Sequence, residues 1–197
     1  MVRQSPFAWV EAKALDFPGI WDAVSRHHPW SHPVSYCMIA VIFFEETGFC
    51  NIAQARTSGS LGVGFGQLEV SNPDKKDFYS WLGLPSDYKQ VSSMMLADKN
   101  LAVKVHCKYF QYLTSECNKS LDGCLSAQVG DHVEYKDLFR QGAALLEQAW
   151  NLNDRAGYIR ALNHARANSP KKNSIPEKLF PDYWQYILPD SWFTLGY

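Results

Sequence analysis

From Cys37 to Phe44 the chain reads CMIAVIFF, an unbroken apolar run followed at once by Glu45 and Glu46. Ser31 and Pro33 ahead of the run and Gly48 behind it are start and stop signals, so HPVSYCMIAVIFFEE predicts one helix. That helix is apolar on every side. It cannot rest on a surface with one face in water, and must run through the middle of a domain with other elements packed all round it. A chain of 197 residues, 46% of them hydrophobic, is long enough to build such a sheath as one domain spanning 1–197.

The sheath reads as helical. Asp16 caps a helix with Pro18 in its first turn, through FPGIWDAVSR. Residues 49–72, glycine- and serine-rich in SGSLGVGFG, read as a loop with a short β-ribbon. Asn72-Pro73 opens a helix through DKKDFYSWLG. The stretch from Ser86 to Leu113 is helical in one or two pieces, with Leu101, Val105, Tyr109 and Tyr112 on one stripe. A polar link, CNKSLDGCLSAQVGDHVEY, precedes a helix over 136–149. Asn153 or Asp154 then caps RAGYIRALNHAR, Ser169 to Ile175 forms a turn, and EKLFPDYWQYIL closes the chain. The predicted class is mainly α.

Composition removes several function classes. The 19 basic and 20 acidic residues are interspersed and leave no basic stripe for a row of phosphates, which argues against nucleic acid as a partner. No stretch of about 18 uncharged apolar residues is present to cross a membrane. Arg3, Glu11, Lys13 and Asp16 leave no room for a signal-peptide apolar region, so the chain is expected to be made soluble and without a cleavable export signal. Five cysteines without a CxxC pair read as buried thiols, although the CNKSLDGC turn leaves room for a Cys117–Cys124 bridge in an oxidising compartment. His27, His28 and His32 offer no pair that sits on a helix at a spacing of four with a partner Glu, and read as a solvated loop rather than a metal site. GVGFG lacks the Lys-Ser/Thr ending of a phosphate loop, and Ser58 and Ser60 have no nearby His to act as base.

The two glutamates carry the chemistry. Burial and the negative end of a helix dipole both favour the neutral form of a carboxyl group, and a protonated acid in an apolar cleft is what glycosidic cleavage requires. Adjacent residues on a helix point about 100° apart, so one member of the pair is expected to be exposed. Seven Trp and ten Tyr exceed what the core needs, and such half-polar rings suit sugar faces as well as packing.

Glu46-Thr47-Gly48-Phe49, continued by Asn51 and Ala53, together with Gly64-Phe65-Gly66-Gln67, resembles the lysozyme-like transglycosylase family, which includes soluble lytic transglycosylases and goose-type lysozymes. Looser likenesses lie in NLAVKVHCKYFQYL, in Ala149-Trp150-Asn151 or Ala161-Leu162-Asn163, and in Ile175 to Leu188, so the resemblance spans roughly residues 33–188. Neither of the two Ala-X-Asn segments keeps the family's Tyr. The resemblance implies a lysozyme-like fold, with a central buried helix and the Gly-rich loop or ribbon beside the active cleft. It also implies cleavage of β-1,4-linked N-acetylated glycan, most of all peptidoglycan, either as a lytic transglycosylase that leaves anhydro ends or as a lysozyme that hydrolyses, with Glu46 as general acid and then base and no cofactor. Gly64, Phe65, Gln67, Trp150 and Asn151 would then bind substrate.

Two alignments of GVGFGQLEV stay open. In one, Gln67 holds the family's glutamine position and Glu69 is free to activate water, with Asp74 behind it. In the other, Glu69 takes that position as a substrate contact. The rival functions are a chitinase on the same fold and a catalytically inactive glycan-binding or structural protein. An enzyme of this kind without an export signal would reach a cell wall by phage lysis, on a phage particle or through a secretion system.

Overall fold

The structure, a computed structural model, describes residue 5, residues 19–55 and residues 61–168. Among these it is mainly α, with eight α-helices and one small three-stranded sheet. The helices are α1 (Ile20–His27), α2 (Tyr36–Thr47), α3 (Lys76–Leu82), α4 (Tyr88–Ala97), α5 (Lys99–Ser115), α6 (Leu121–Val129), α7 (Val133–Leu152) and α8 (Arg155–Ala167). Strands β1 (Ala53–Ala55), β2 (Leu61–Val63) and β3 (Leu68–Glu69) lie between α2 and α3, and a single 3-10 turn, Pro73–Lys75, leads into α3.

Every residue of α2 is buried, as an all-round apolar helix requires. Its start lies later than Ser31 and Pro33 suggest. Ser35 is the cap, its hydroxyl accepting from the Met38 N–H at 3.2 Å, while the Val34 N–H is taken by His32 Nδ1 at 3.1 Å. The Pro33 turn is thereby closed off before the helix begins. At the other end Gly48 adopts φ +60°, and its N–H returns to the Phe44 carbonyl at 2.8 Å, the left-handed stop that glycine tolerates best.

The sheath consists of α7 and α8 packed on α2 and on each other, and of α5 against α1, α3, α4 and α6. Helix α7 crosses α2 at Gly142, where an added Cβ would lie 3.0 Å from a Val41 methyl. The buried apolar residues of all these elements form one contiguous cluster.

The sheet is antiparallel in the order β1-β2-β3, with Ala53 opposite Val63 and Gly62 opposite Glu69. Asn72 caps the 3-10 turn as expected, its side chain accepting from the Asp74 N–H. The stretch from Ser86 to Leu113 is two helices. They part at Asp98, whose carboxylate accepts from the Leu101 N–H at 3.1 Å and so starts α5. The polar link is not a link throughout: Ser120 caps α6, which buries Cys124 and Leu125 against the core. Helix α7 outruns the expected 136–149 at both ends, closing where Asn153 takes φ +51°. The Asp16 cap, the Ser169–Ile175 turn and the closing Ile175–Leu188 segment lie outside the described residues.

All five cysteines are free thiols, four of them buried and Cys117 exposed. The histidines do not form a solvated loop: His28 is 3% exposed, and its Nε2 meets the Val34 carbonyl at 2.7 Å. Among the described residues no helix is long and apolar enough to cross a membrane.

Candidate active site

The C-terminal turn of α2 opens onto a cleft of about 770 Å³. Glu46 lines it from the helix end, and Glu69 lines it from β3. Strand alternation explains the second placement: Leu68 turns into the core, so Glu69, one residue on, faces the other way and is half-buried. Asp74 and Lys75, from the 3-10 turn, stand at the same cleft.

Two sequence elements far apart in the chain are joined here. The Thr47 hydroxyl, one residue after Glu46, donates to the Phe65 carbonyl at 2.7 Å and accepts from the Cys50 N–H at 3.1 Å. The 64–67 turn is held from its other side by Gln128 of α6, whose Nε2 donates to the Gly66 carbonyl at 2.6 Å. His106 packs so closely on Gly66 that an added Cβ would fall 2.2 Å from the imidazole Cε1. The glycine at 66 is required by a histidine rather than by a ligand.

Gln67, at φ +50° and 2% exposed, is turned inward. Its Nε2 donates to the Ile52 and Gly64 carbonyls at 3.1 and 3.0 Å, latching the turn to the segment before β1. Gly64, at φ +84°, makes that turn, and Phe65 packs on Phe43 at 5.6 Å between ring centroids. None of Gly64, Phe65 and Gln67 lines the cleft.

Trp150 and Asn151 lie elsewhere. Trp150 packs with Trp30, Trp21 and Tyr36 at 5.3, 5.9 and 6.4 Å. Tyr36 begins α2 and Glu46 lies in its last turn, ten residues on, which separates the two sites by about 15 Å along the helix axis. Asn151 is exposed on the adjoining turn of α7. The pair expected to be split between core and solvent is not split: Glu45 and Glu46 are 4% and 5% exposed, because the sheath encloses α2 to its last turn. Of the two, Glu46 is the one that lines the cleft.

Several lining residues carried no functional signal in the sequence. Tyr109 and Tyr112 stand in a helical stripe and within the loosely family-like NLAVKVHCKYFQYL segment, neither of which assigns them a site role, and Tyr135 is only the end of a polar link. The Lys75 ammonium, 4% exposed, donates to the Tyr109 hydroxyl at 2.8 Å and sits 4.1 Å from the ring centroid. Burial raises the pKa of the Tyr109 hydroxyl, with the charges of Cys117, Cys124, Asp74 and Tyr112 adding to it. Burial also pushes Tyr135 up to about 12, reinforced by the negative charges of Glu46, Glu45 and Glu134. Both phenols therefore keep their protons near neutrality, which leaves each with an O–H able to donate. Gln128 lines it too, with its amide polarity fixed, since only the nitrogen can donate to the Gly66 carbonyl.

Among the described residues no three His, Cys, Asp or Glu side chains gather as a metal site. No family model, curated protein or solved structure matches the chain.

Proposed function

We propose that the chain cleaves β-1,4-linked N-acetylated glycan, with peptidoglycan as its principal substrate, in the cleft at the end of α2. The observation that carries this reading is the meeting of two carboxylates from different elements, Glu46 and Glu69, in one cleft with the tyrosines 109, 112 and 135. A carboxylic acid and a carboxylate facing a common space are the minimal equipment for glycoside hydrolysis, and half-polar rings suit a pyranose. The motif resemblance at residues 46–67 supports the same assignment.

In the proposed mechanism the Glu46 carboxyl proton passes to the glycosidic oxygen as the bond to the anomeric carbon breaks. Glu69 takes a proton from a water that attacks the same carbon, so the products are two saccharide ends and the net reaction adds one water. The phenols of Tyr109, buried, and Tyr135, half-buried, offer donors to sugar hydroxyl and acetamido oxygens. A cleft of this volume falls within the size range of small-molecule sites.

The test is clearing of a suspension of purified peptidoglycan by the wild-type chain and by Glu46→Gln, with colloidal chitin in parallel. Clearing of peptidoglycan by the wild type alone is expected. Clearing of chitin in preference would move the substrate to chitin, and no clearing of either by a folded wild type would overturn the catalytic reading.

A further inference from the structure

The cleft has a wall of aromatic rings that does not stop at its rim. Tyr109 and Tyr112 of α5 line it, and Phe78 of α3, fully buried, backs both at 5.1 and 5.5 Å. One ring further out, Trp81 of α3 lies 5.6 Å from Tyr112 and stacks on Phe78 at 6.3 Å with an interplanar angle of 29°. It remains 42% exposed. Around it the exposed residues of α3 are polar: Lys76, Asp77 and Ser80. The indole is thus the exposed apolar side chain of a helix whose other exposed residues are polar, and its ring contacts continue to the tyrosines of the cleft.

We propose that Trp81 is an outer stacking platform for a sugar ring of an extended glycan, one position removed from the sugars held over Glu46. This rests on the glycan-cleaving reading above. The surroundings favour a saccharide over a protein face. A sugar presents one apolar face and a rim of hydroxyls, matching a single ring with polar neighbours, whereas a protein interface needs a broader apolar patch. The platform is also pre-positioned. Phe78 backs it, and the Lys75–Tyr109 hydrogen bond ties the start of α3 to α5, so little ordering has to accompany binding.

Calorimetric titration of N-acetylglucosamine oligomers onto the Glu46→Gln chain, with and without Trp81→Ala, tests the assignment. Glu46→Gln alone should bind the hexasaccharide more tightly than the trisaccharide. Adding Trp81→Ala should weaken hexasaccharide binding by about 3- to 10-fold, as expected for loss of one aromatic stacking contact, and leave the trisaccharide within about twofold. Trp81→Phe should recover most of the loss. Equal weakening for both oligomers would make Trp81 structural and overturn the inference, as would no weakening for either. If Glu46→Gln binds neither oligomer while wild type also leaves peptidoglycan and chitin intact, the glycan reading itself fails and the platform falls with it.

Discussion

Glu45 and Glu46 share the last turn of α2 and are equally buried, yet they differ in what they face. Glu46→Gln should lower glycan cleavage by about 10²- to 10⁴-fold, the usual worth of a positioned general acid, while Glu45→Gln leaves most activity in place. Initial rates on peptidoglycan read both, and equal losses would remove the distinction. A second residue-scale consequence concerns acid. His106 is 1% exposed with neither ring nitrogen hydrogen-bonded, and burial lowers its pKa to about 3; burial likewise lowers that of His28 to about 4. Both folded values lie below the unfolded value of about 6.5, so on acidification the unfolded chain takes up protons first. Stability is therefore lost as pH falls from about 6.5, with the His28 contribution complete near 4 and that of His106 near 3. For His106 alone the loss is on the order of 2 kcal/mol by pH 5. Urea unfolding at pH 7 and 5 should show it, and His106→Leu, which removes two unpartnered nitrogens at similar volume, should remove the His106 share of the dependence and leave that of His28. The importance of His106 was not legible in the sequence. It sits mid-helix with nothing local to mark it, and its constraint comes from Gly66, brought against it by the ribbon.

At the scale of elements, α2 was legible because an all-round apolar helix allows only a central position, and Gly48 was legible because few other residues tolerate a left-handed stop. Its start was not. Ser31 and Ser35 are both fair caps, and the choice fell to His32, whose ring occupies the Val34 N–H. Helix α6 was hidden by its own composition: Gly123 lowers its propensity, and its buried face is little more than Cys124 and Leu125. The ribbon was anticipated, but the inward turn of Gln67 was not, since the carbonyls of Ile52 and Gly64 that claim its amide are set by the turn and not by spacing. The crossing of α7 over α2 makes its own prediction. Gly142→Val places branched carbons where a single Cβ already meets Val41 at 3.0 Å, and should destabilise by about 1–3 kcal/mol, read as a lower urea midpoint. A midpoint equal to wild type would mean that the helices can part there at no cost.

Across the whole molecule, one core holds the end of a helix, the edge of a sheet and a 3-10 turn around a common cleft, and the function proposed here depends on that convergence. The resemblance implied that the Gly-rich segment lies beside the end of the Glu46 helix, and the Thr47–Phe65 hydrogen bond joins the two. The lining from α6 and the start of α7 was not foreseen, because nothing in a sequence links Gln128 or Tyr135 to a glutamate more than eighty residues earlier. Glu69→Gln tests the two-carboxylate mechanism. Hydrolysis should fall by at least about 10²-fold if Glu69 activates water, and an active variant would leave Glu46 as the sole catalytic carboxylate. The most direct measurement is mass spectrometry of the fragments that wild type and Glu46→Gln release from purified peptidoglycan. Wild type should release fragments with hydrolysed ends, each cleavage adding one water, and the variant essentially none. Equal release by both, or no release by a folded wild type, would contradict the proposed function.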